Sequence, residues 1–154
     1  MNRLFLLGDS TCAEKKREAR PETGWGEAFY EYLAPEWITV NCAFNGFSTV
    51  SALKSGTFSS VLLSLKEGDA VIIQFGHNDQ KLAHLQAYGG YTDRLRTYIK
   101  EARTAGAVPV LVTPLARNSW KDAAHYNDFL ADFADAVLTL GKAENVMVLD
   151  LHTW

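Results

Sequence analysis

Three short segments carry side chains suited to acyl transfer. Gly8-Asp9-Ser10-Thr11 puts a hydroxyl at the exit of an apolar run. A serine nucleophile needs exposure, a fixed backbone and nearby N–H donors, and a strand-to-helix turn supplies all three. Read alone, the same string is an ordinary Ser/Asp turn or helix cap. Asn41-Cys42-Ala43-Phe44-Asn45-Gly46-Phe47-Ser48 leaves a second run. There Gly46 lets the backbone approach a ligand closely, so that its N–H can face a developing oxyanion; a plain turn is the simpler reading. Gln74-Phe75-Gly76-His77-Asn78-Asp79-Gln80 leaves a third. The Asn78 amide is a neutral donor that stabilises an oxyanion without losing its proton. His77 directly precedes it and is assigned a packing or loop role.

A serine hydroxyl also needs a histidine to take its proton and an acid to orient that histidine. Asp122-Ala123-Ala124-His125 has a spacing that one loop turn can satisfy. Its place at the start of an expected helix favours Asp122 as an N-terminal cap, with His125 on the first turn. Asp150 and His152 stand two apart at a strand end, both on one side, which reads as packing. His84 has no obvious partner. Trp25, Trp37, Trp120 and Trp154 are able to stack on sugar rings, with core packing the default for each. Trp120, close to Arg117 and Asn118, is the candidate substrate contact. The charged run over residues 14–20 reads as a solvated segment. There is no Cys-x-x-Cys or His-Glu-x-x-His, and the histidines are scattered, so no metal site is expected.

The elements that must position these groups follow from apolar patterning. Residues 3–8, 38–44, 69–76, 108–115 and 146–151 are short, rich in branched side chains and in several cases continuously apolar. Strands read that way when a parallel sheet is covered on both faces. Residues 27–33, 50–65, 91–105 and 123–142 show helical spacing, with Gly141 expected to stop the last helix. The alternation predicts an α/β domain with a mostly parallel sheet. Functional groups should then gather beyond the carboxyl ends of the strands, where strand order reverses.

Composition agrees. The 154 residues are 47% hydrophobic and 21% charged, which fits one globular domain and excludes disorder. Fifteen Lys and Arg against 18 Asp and Glu leave a net charge of −3, too weak a bias to suggest a nucleic-acid or membrane-surface partner. No apolar run approaches the roughly 18 residues of a membrane span. Met1 to Leu7 closes too early for a signal peptide, and two cysteines, Cys12 and Cys42, are no disulfide framework. A cytoplasmic home is expected.

Taken together, the three loops resemble the SGNH (GDSL-type) hydrolases, and within them the rhamnogalacturonan acetylesterase-like branch. Gly8-Asp9-Ser10-Thr11 resembles the first block, and Thr23-Gly24-Trp25-Gly26 the Gly-Trp-Gly that follows it. Gly46 falls on the second-block glycine. Gly68-Asp69, Gln74-Phe75 and Gly76-His77-Asn78-Asp79 resemble the third block and its approach, and Thr113-Pro114-Leu115-Ala116-Arg117 also resembles this branch. The resemblance implies a flavodoxin-like three-layer α/β/α sandwich with five parallel strands. It implies Ser10 as nucleophile and first oxyanion donor, Gly46 as second donor and Asn78 as third. It implies a carbohydrate ester substrate and no cofactor.

Two departures stand out. Phe47 occupies a position where this branch commonly has a basic residue, which weakens the inference of a pectic substrate. The family's closing Asp-x-x-His block should follow the fifth strand, where this chain reads Leu151-His152-Thr153-Trp154. The expectation is a single domain over residues 1–154, incomplete at its C-terminus and weak or inactive as an esterase for want of its general base. The competing readings are a non-catalytic flavodoxin-like module that binds flavin, and a degenerate SGNH domain serving as an interaction surface.

Overall fold

The computed structural model describes residues 1–153. Five strands form one parallel sheet in the order β2-β1-β3-β4-β5: β1 Asn2–Gly8, β2 Trp37–Asn41, β3 Ala70–Gln74, β4 Val108–Val112 and β5 Met147–Leu149. The chain goes from β1 to one side of the sheet for β2, then crosses to the other side for β3. The reversal opens a crevice between the carboxyl ends of β1 and β3, where Gly8 is in register with Gln74.

Side-chain alternation splits the sheet into two faces. Phe5, Leu7, Val71, Ile73 and Leu111 point into the larger cluster, with Phe58, Tyr98, Ile99, Val137 and Leu140 from the helices above. Those helices are α2 (Thr49–Lys54), α3 (Thr57–Ser64), α4 (Thr92–Thr104) and α5 (Ala131–Glu144). Each large apolar side chain buried there contributes about 1.5–3 kcal/mol. Leu4, Leu6, Ile72, Val110 and Val112 point the other way, toward Trp25, Phe29 and Leu33. That face is covered thinly, by α1 (Trp25–Ala28) and a 3₁₀ turn at Phe29–Tyr32. Beside them lies an open apolar groove of about 310 Å³ lined by Trp25, Phe29, Tyr32, Val112, Leu149 and Leu151.

Three expectations are corrected. The helix read over 50–65 is two helices, because Gly56 takes φ +81° between them. Gly141 does not end α5. It is buried inside the helix, and a Cβ there would lie 2.1 Å from Val148 Cγ2; Asn145, at φ 51°, makes the left-handed stop instead. The helix read from 123 begins only at Ala131. Residues before it form a hairpin in which Trp120 bridges Tyr126, their rings 5.3 Å apart. Lys121 N donates to His125 O and Asn127 N to Ser119 O. Ring packing between residues six apart outweighs the weak helical preference of the polar tip.

No helix among the described residues is long and apolar enough to cross a membrane. Cys12 and Cys42 are free thiols, and burial raises the Cys12 thiol to about 12. Trp154, one of the four tryptophans considered for sugar stacking, lies outside the described residues.

Candidate active site

The turn after β1 is built by Asp9, which is fully buried. Its Oδ1 accepts from Thr11 N (2.9 Å) and Thr11 Oγ1 (2.8 Å), and its Oδ2 lies 3.3 Å from His77 Nδ1. Its carbonyl accepts from Cys12 N and Ala13 N at 3.1 and 3.0 Å. Because the Asp9 carbonyl and the Ser10 N–H share one peptide plane, these bonds fix the direction of that N–H. Among the described residues neither the Ser10 N–H nor Ser10 Oγ has a hydrogen-bond partner. With the N–H groups of Thr11, Cys12 and Ala13 all turned onto Asp9, this turn also lacks the open cradle a flavin phosphate needs.

Gln74 ties the turn to the sheet. Its Oε1 accepts from Thr11 Oγ1 at 3.0 Å and Trp25 Nε1 at 2.7 Å, and its Nε2 donates to the Thr113 carbonyl at 3.2 Å. Trp25 is therefore an internal strut and not a sugar platform. The flanking Gly24 has no room for a side chain, since a Cβ there would meet the Ala13 carbonyl oxygen at 2.0 Å.

The turn after β2 closes with Phe47 N donating to the Phe44 carbonyl (3.2 Å), and Gly46 at φ +84° holds the third position, where type II turns require glycine. Its N–H has no acceptor among the described residues. Asn78 joins this turn to the one after β3: Nδ2 donates to the Phe47 carbonyl at 2.9 Å, and Oδ1 accepts from Lys81 Nζ at 2.9 Å. One Nδ2 hydrogen is spent and the second has no acceptor among the described residues. Phe47 itself packs on the core, its ring 5.4 Å from that of Phe44.

Buried struts set the remaining geometry. Asp79 Oδ1 accepts from Thr49 N (2.9 Å) and Thr49 Oγ1 (2.6 Å), fastening the third turn to α2, while its Oδ2 has no partner among the described residues. Burial raises the Asp79 pKa against the lowering effect of the Thr49 bonds. Tyr98 and Tyr91 donate from α4 and its entry to the carbonyls of Thr49 (2.7 Å) and Phe75 (2.9 Å). Such bonds are worth about 1 kcal/mol each and fix both turns against one helix.

Ser10, Thr11, His77, Asn78, Lys81, Leu115, Ala116 and Arg117 line one cavity of about 360 Å³. Its charged lining is two cations, Lys81 and Arg117. Gly46 is outside this lining, linked to it through the Asn78 to Phe47 bond. Trp120 is also outside it, 58% exposed on the hairpin that follows Arg117, and Tyr126 Oη donates to the Arg117 carbonyl at 2.9 Å.

No histidine ring bonds Ser10 Oγ among the described residues. The Asp122 and His125 side chains do meet, His125 Nδ1 lying 2.7 and 2.8 Å from the two carboxylate oxygens, but at the exposed hairpin tip and not at a helix start. Asp150 and His152 do not orient one another's side chains. The Asp150 carboxylate accepts from Thr113 Oγ1 and the His152 backbone N–H, whereas the His152 ring has Nδ1 2.9 Å from the Pro114 carbonyl and Nε2 2.8 Å from Asp128.

Sequence reading missed Lys15. It belongs to the run expected to be solvated, yet it is buried, its ammonium facing Ser10, Glu22 and Asn45. No periodicity signals this, because its acceptors come from three separate turns.

The profile of the GDSL-like lipase/acylhydrolase family matches residues 6–154. The chain is 33% identical over 148 residues to the rhamnogalacturonan acetylesterase RhgT of Bacillus subtilis, covering 96% of this chain and 64% of that protein. It is 30% identical to the probable rhamnogalacturonan acetylesterase YesY of the same organism, covering 97% of this chain and 70% of that one. In fold it is similar to the crystal structure of YxiM from B. subtilis (TM-score 0.86, 23% identity, 99% of this chain and 44% of that). It is also similar to the acetylxylan esterase Axe2 from Geobacillus stearothermophilus (TM-score 0.70, 20% identity, 99% and 77%).

Proposed function

The chain belongs to the GDSL-like lipase/acylhydrolase family, and we propose that it is a serine ester hydrolase that removes acetyl groups from a carbohydrate, of the rhamnogalacturonan acetylesterase type. Ser10 Oγ attacks the acetyl carbonyl carbon. The oxygen of the tetrahedral intermediate is held by the Ser10 N–H, the Gly46 N–H and the second Nδ2 hydrogen of Asn78. The sugar alkoxide leaves with a proton, and water hydrolyses the acetyl-serine. The reaction so drawn calls on no metal or cofactor.

One observation carries the reading: three turns beyond β1, β2 and β3 are tied to one another at the sheet's reversal point, and Ser10 N, Gly46 N and one Asn78 Nδ2 hydrogen have no acceptor among the described residues. An oxyanion site requires N–H groups left free of protein acceptors beside the nucleophile, and these three fit that requirement. Lys81 and Arg117 in the cavity wall suit a sugar that bears a carboxylate, in keeping with the rhamnogalacturonan acetylesterases the chain resembles. That assigns to these cations the role the family's basic residue would fill where this chain has Phe47. Trp120 offers a ring face to the polymer beyond the scissile ester. A reducing, cytoplasmic setting is part of the proposal, in keeping with the two free thiols.

Among the described residues no imidazole bonds Ser10 Oγ, and the roles assigned here are those of the nucleophile and the oxyanion donors, the hydroxyl proton ending on the departing sugar oxygen. The test is acetate release from acetylated pectic polysaccharide and from acetylated xylan, by the chain and by Ser10→Ala. Serine-dependent release that favours the acidic polymer supports the proposal. Equal rates for the two proteins overturn it.

A further inference from the structure

The ammonium of Lys15 is more than nine-tenths removed from solvent, with 4% side-chain exposure. It has three N–H donors, and three acceptors meet it: the Ser10 carbonyl oxygen, Asn45 Oδ1 at 3.2 Å and Glu22 Oε1 at 3.1 Å. Burying an ammonium is costly even when paired. Ion pairing does not account for it here, because Glu22 is 66% exposed and a Lys–Glu pair forms as readily with both groups in water. The two neutral acceptors are what the buried position adds. One is the main-chain carbonyl of Ser10, and the other is the side-chain oxygen of Asn45, the residue that immediately precedes the Gly46 N–H.

We propose that Lys15 is a positioning residue for acyl transfer, tying the Ser10 carbonyl to the Asn45 side chain and so fixing the separation of the Ser10 and Gly46 N–H donors. The proposal rests on the esterase reading above. The Asn78 to Phe47 bond joins the second and third turns. Between the first and second turns the backbone bond from Phe44 N to the Gly8 carbonyl (3.1 Å) is one join, and Lys15 adds another at Ser10 and Asn45 themselves. Without it, the Asn45 side chain has no bond among the described residues, and the exposed Asn45 and Gly46 are held only through Phe44 and Phe47 on either side. Lys15 touches no reacting atom. Its effect falls on donor geometry, where displacements of about 1 Å cost on the order of 100-fold in rate.

The experiment measures 4-nitrophenyl acetate hydrolysis by the wild-type chain, Ser10→Ala, Lys15→Met, Asn45→Ala and the double variant, with thermal unfolding of each. Lys15→Met is expected to lower kcat by about 10- to 100-fold with KM within about three-fold, since a loosened oxyanion site weakens transition-state binding selectively. Asn45→Ala removes only one arm of the join at an exposed residue, so it keeps the fold, and should lower kcat by about 3- to 10-fold. The double variant should be no slower than Lys15→Met alone, because both break one connection. Asn45→Ala with unchanged kcat, additive losses in the double variant, or losses confined to KM each overturn the proposal. If the wild-type rate equals that of Ser10→Ala, the esterase reading itself fails, an outcome distinct from the failure of the Lys15 role.

Discussion

Asn78 Nδ2 donates to the Phe47 carbonyl oxygen across 2.9 Å, which joins the loop after β2 to the loop after β3. The same nitrogen supplies the third proposed oxyanion donor. Its two hydrogens therefore have separate tasks, one structural and one chemical. Asn78→Ala should remove both, lowering kcat for ester hydrolysis by about 100-fold or more, the usual cost of one lost oxyanion donor. Asn78→Asp keeps the shape but places a negative charge beside the developing one, and should be at least as slow. Steady-state kinetics on 4-nitrophenyl acetate check both.

Asp79 predicts a pH signature. Burial raises its folded-state pKa above the unfolded value near 3.8. The folded protein thus holds a proton more tightly than the unfolded chain, and stability falls as pH rises from about 4 through the folded-state pKa. Asp79→Asn retains an oxygen for Thr49 and abolishes that fall. Its destabilisation relative to wild type should be largest near pH 4 and smaller at pH 7, as read from urea unfolding at each pH.

Asp69 predicts the opposite slope. Burial alone would raise its carboxyl, but the Arg3 side chain, the Lys66 and Arg3 backbone N–H groups and the Arg3 charge together hold it below the ordinary value. Its stabilisation is present above the unfolded pKa near 3.8 and is lost as pH falls below it. Asp69→Ala should cost about 2 kcal/mol at pH 7, through donors left unpaired, and less at pH 3.

Gly141→Ala tests the packing of α5 on β5. The added methyl meets Val148 Cγ2, and the tight contact with a β-branched neighbour leaves little room to yield. A loss of about 1–3 kcal/mol is expected despite alanine's better helix propensity. An equally stable or stabilised variant would mean that β5 shifts freely at the sheet edge.

Trp120→Ala should raise KM for an acetylated oligosaccharide by about ten-fold, the worth of one stacking contact, with a smaller effect on 4-nitrophenyl acetate. Equal effects on both substrates would assign Trp120 to the hairpin's own stability, through its contact with Tyr126.

Much of this architecture was legible because its signals are local. Continuous apolar runs such as residues 70–73 announce strands buried on both faces, and the turn residues after β1, β2 and β3 bring Ser10, Gly46 and Asn78 to neighbouring loops. What was not legible depends on distant partners. Lys15 looks like any residue of a charged run until Ser10 and Asn45 fold over it. Gly141 looks like a stop until Val148 needs its space. The stretch from Asp122 onward looks like a capped helix start until the rings of Trp120 and Tyr126 pair across it. Asp122 and His125 have the spacing of an acid–base pair and do bond, yet their surroundings place them in solvent at a loop tip.

The most direct measurement is covalent. Incubation with a fluorophosphonate, followed by intact mass and peptide mapping, should give one phosphonyl group per chain, located on Ser10 and absent from Ser10→Ala. A chain that stays unmodified, or carries the group on any other residue, would contradict a nucleophile at the end of β1.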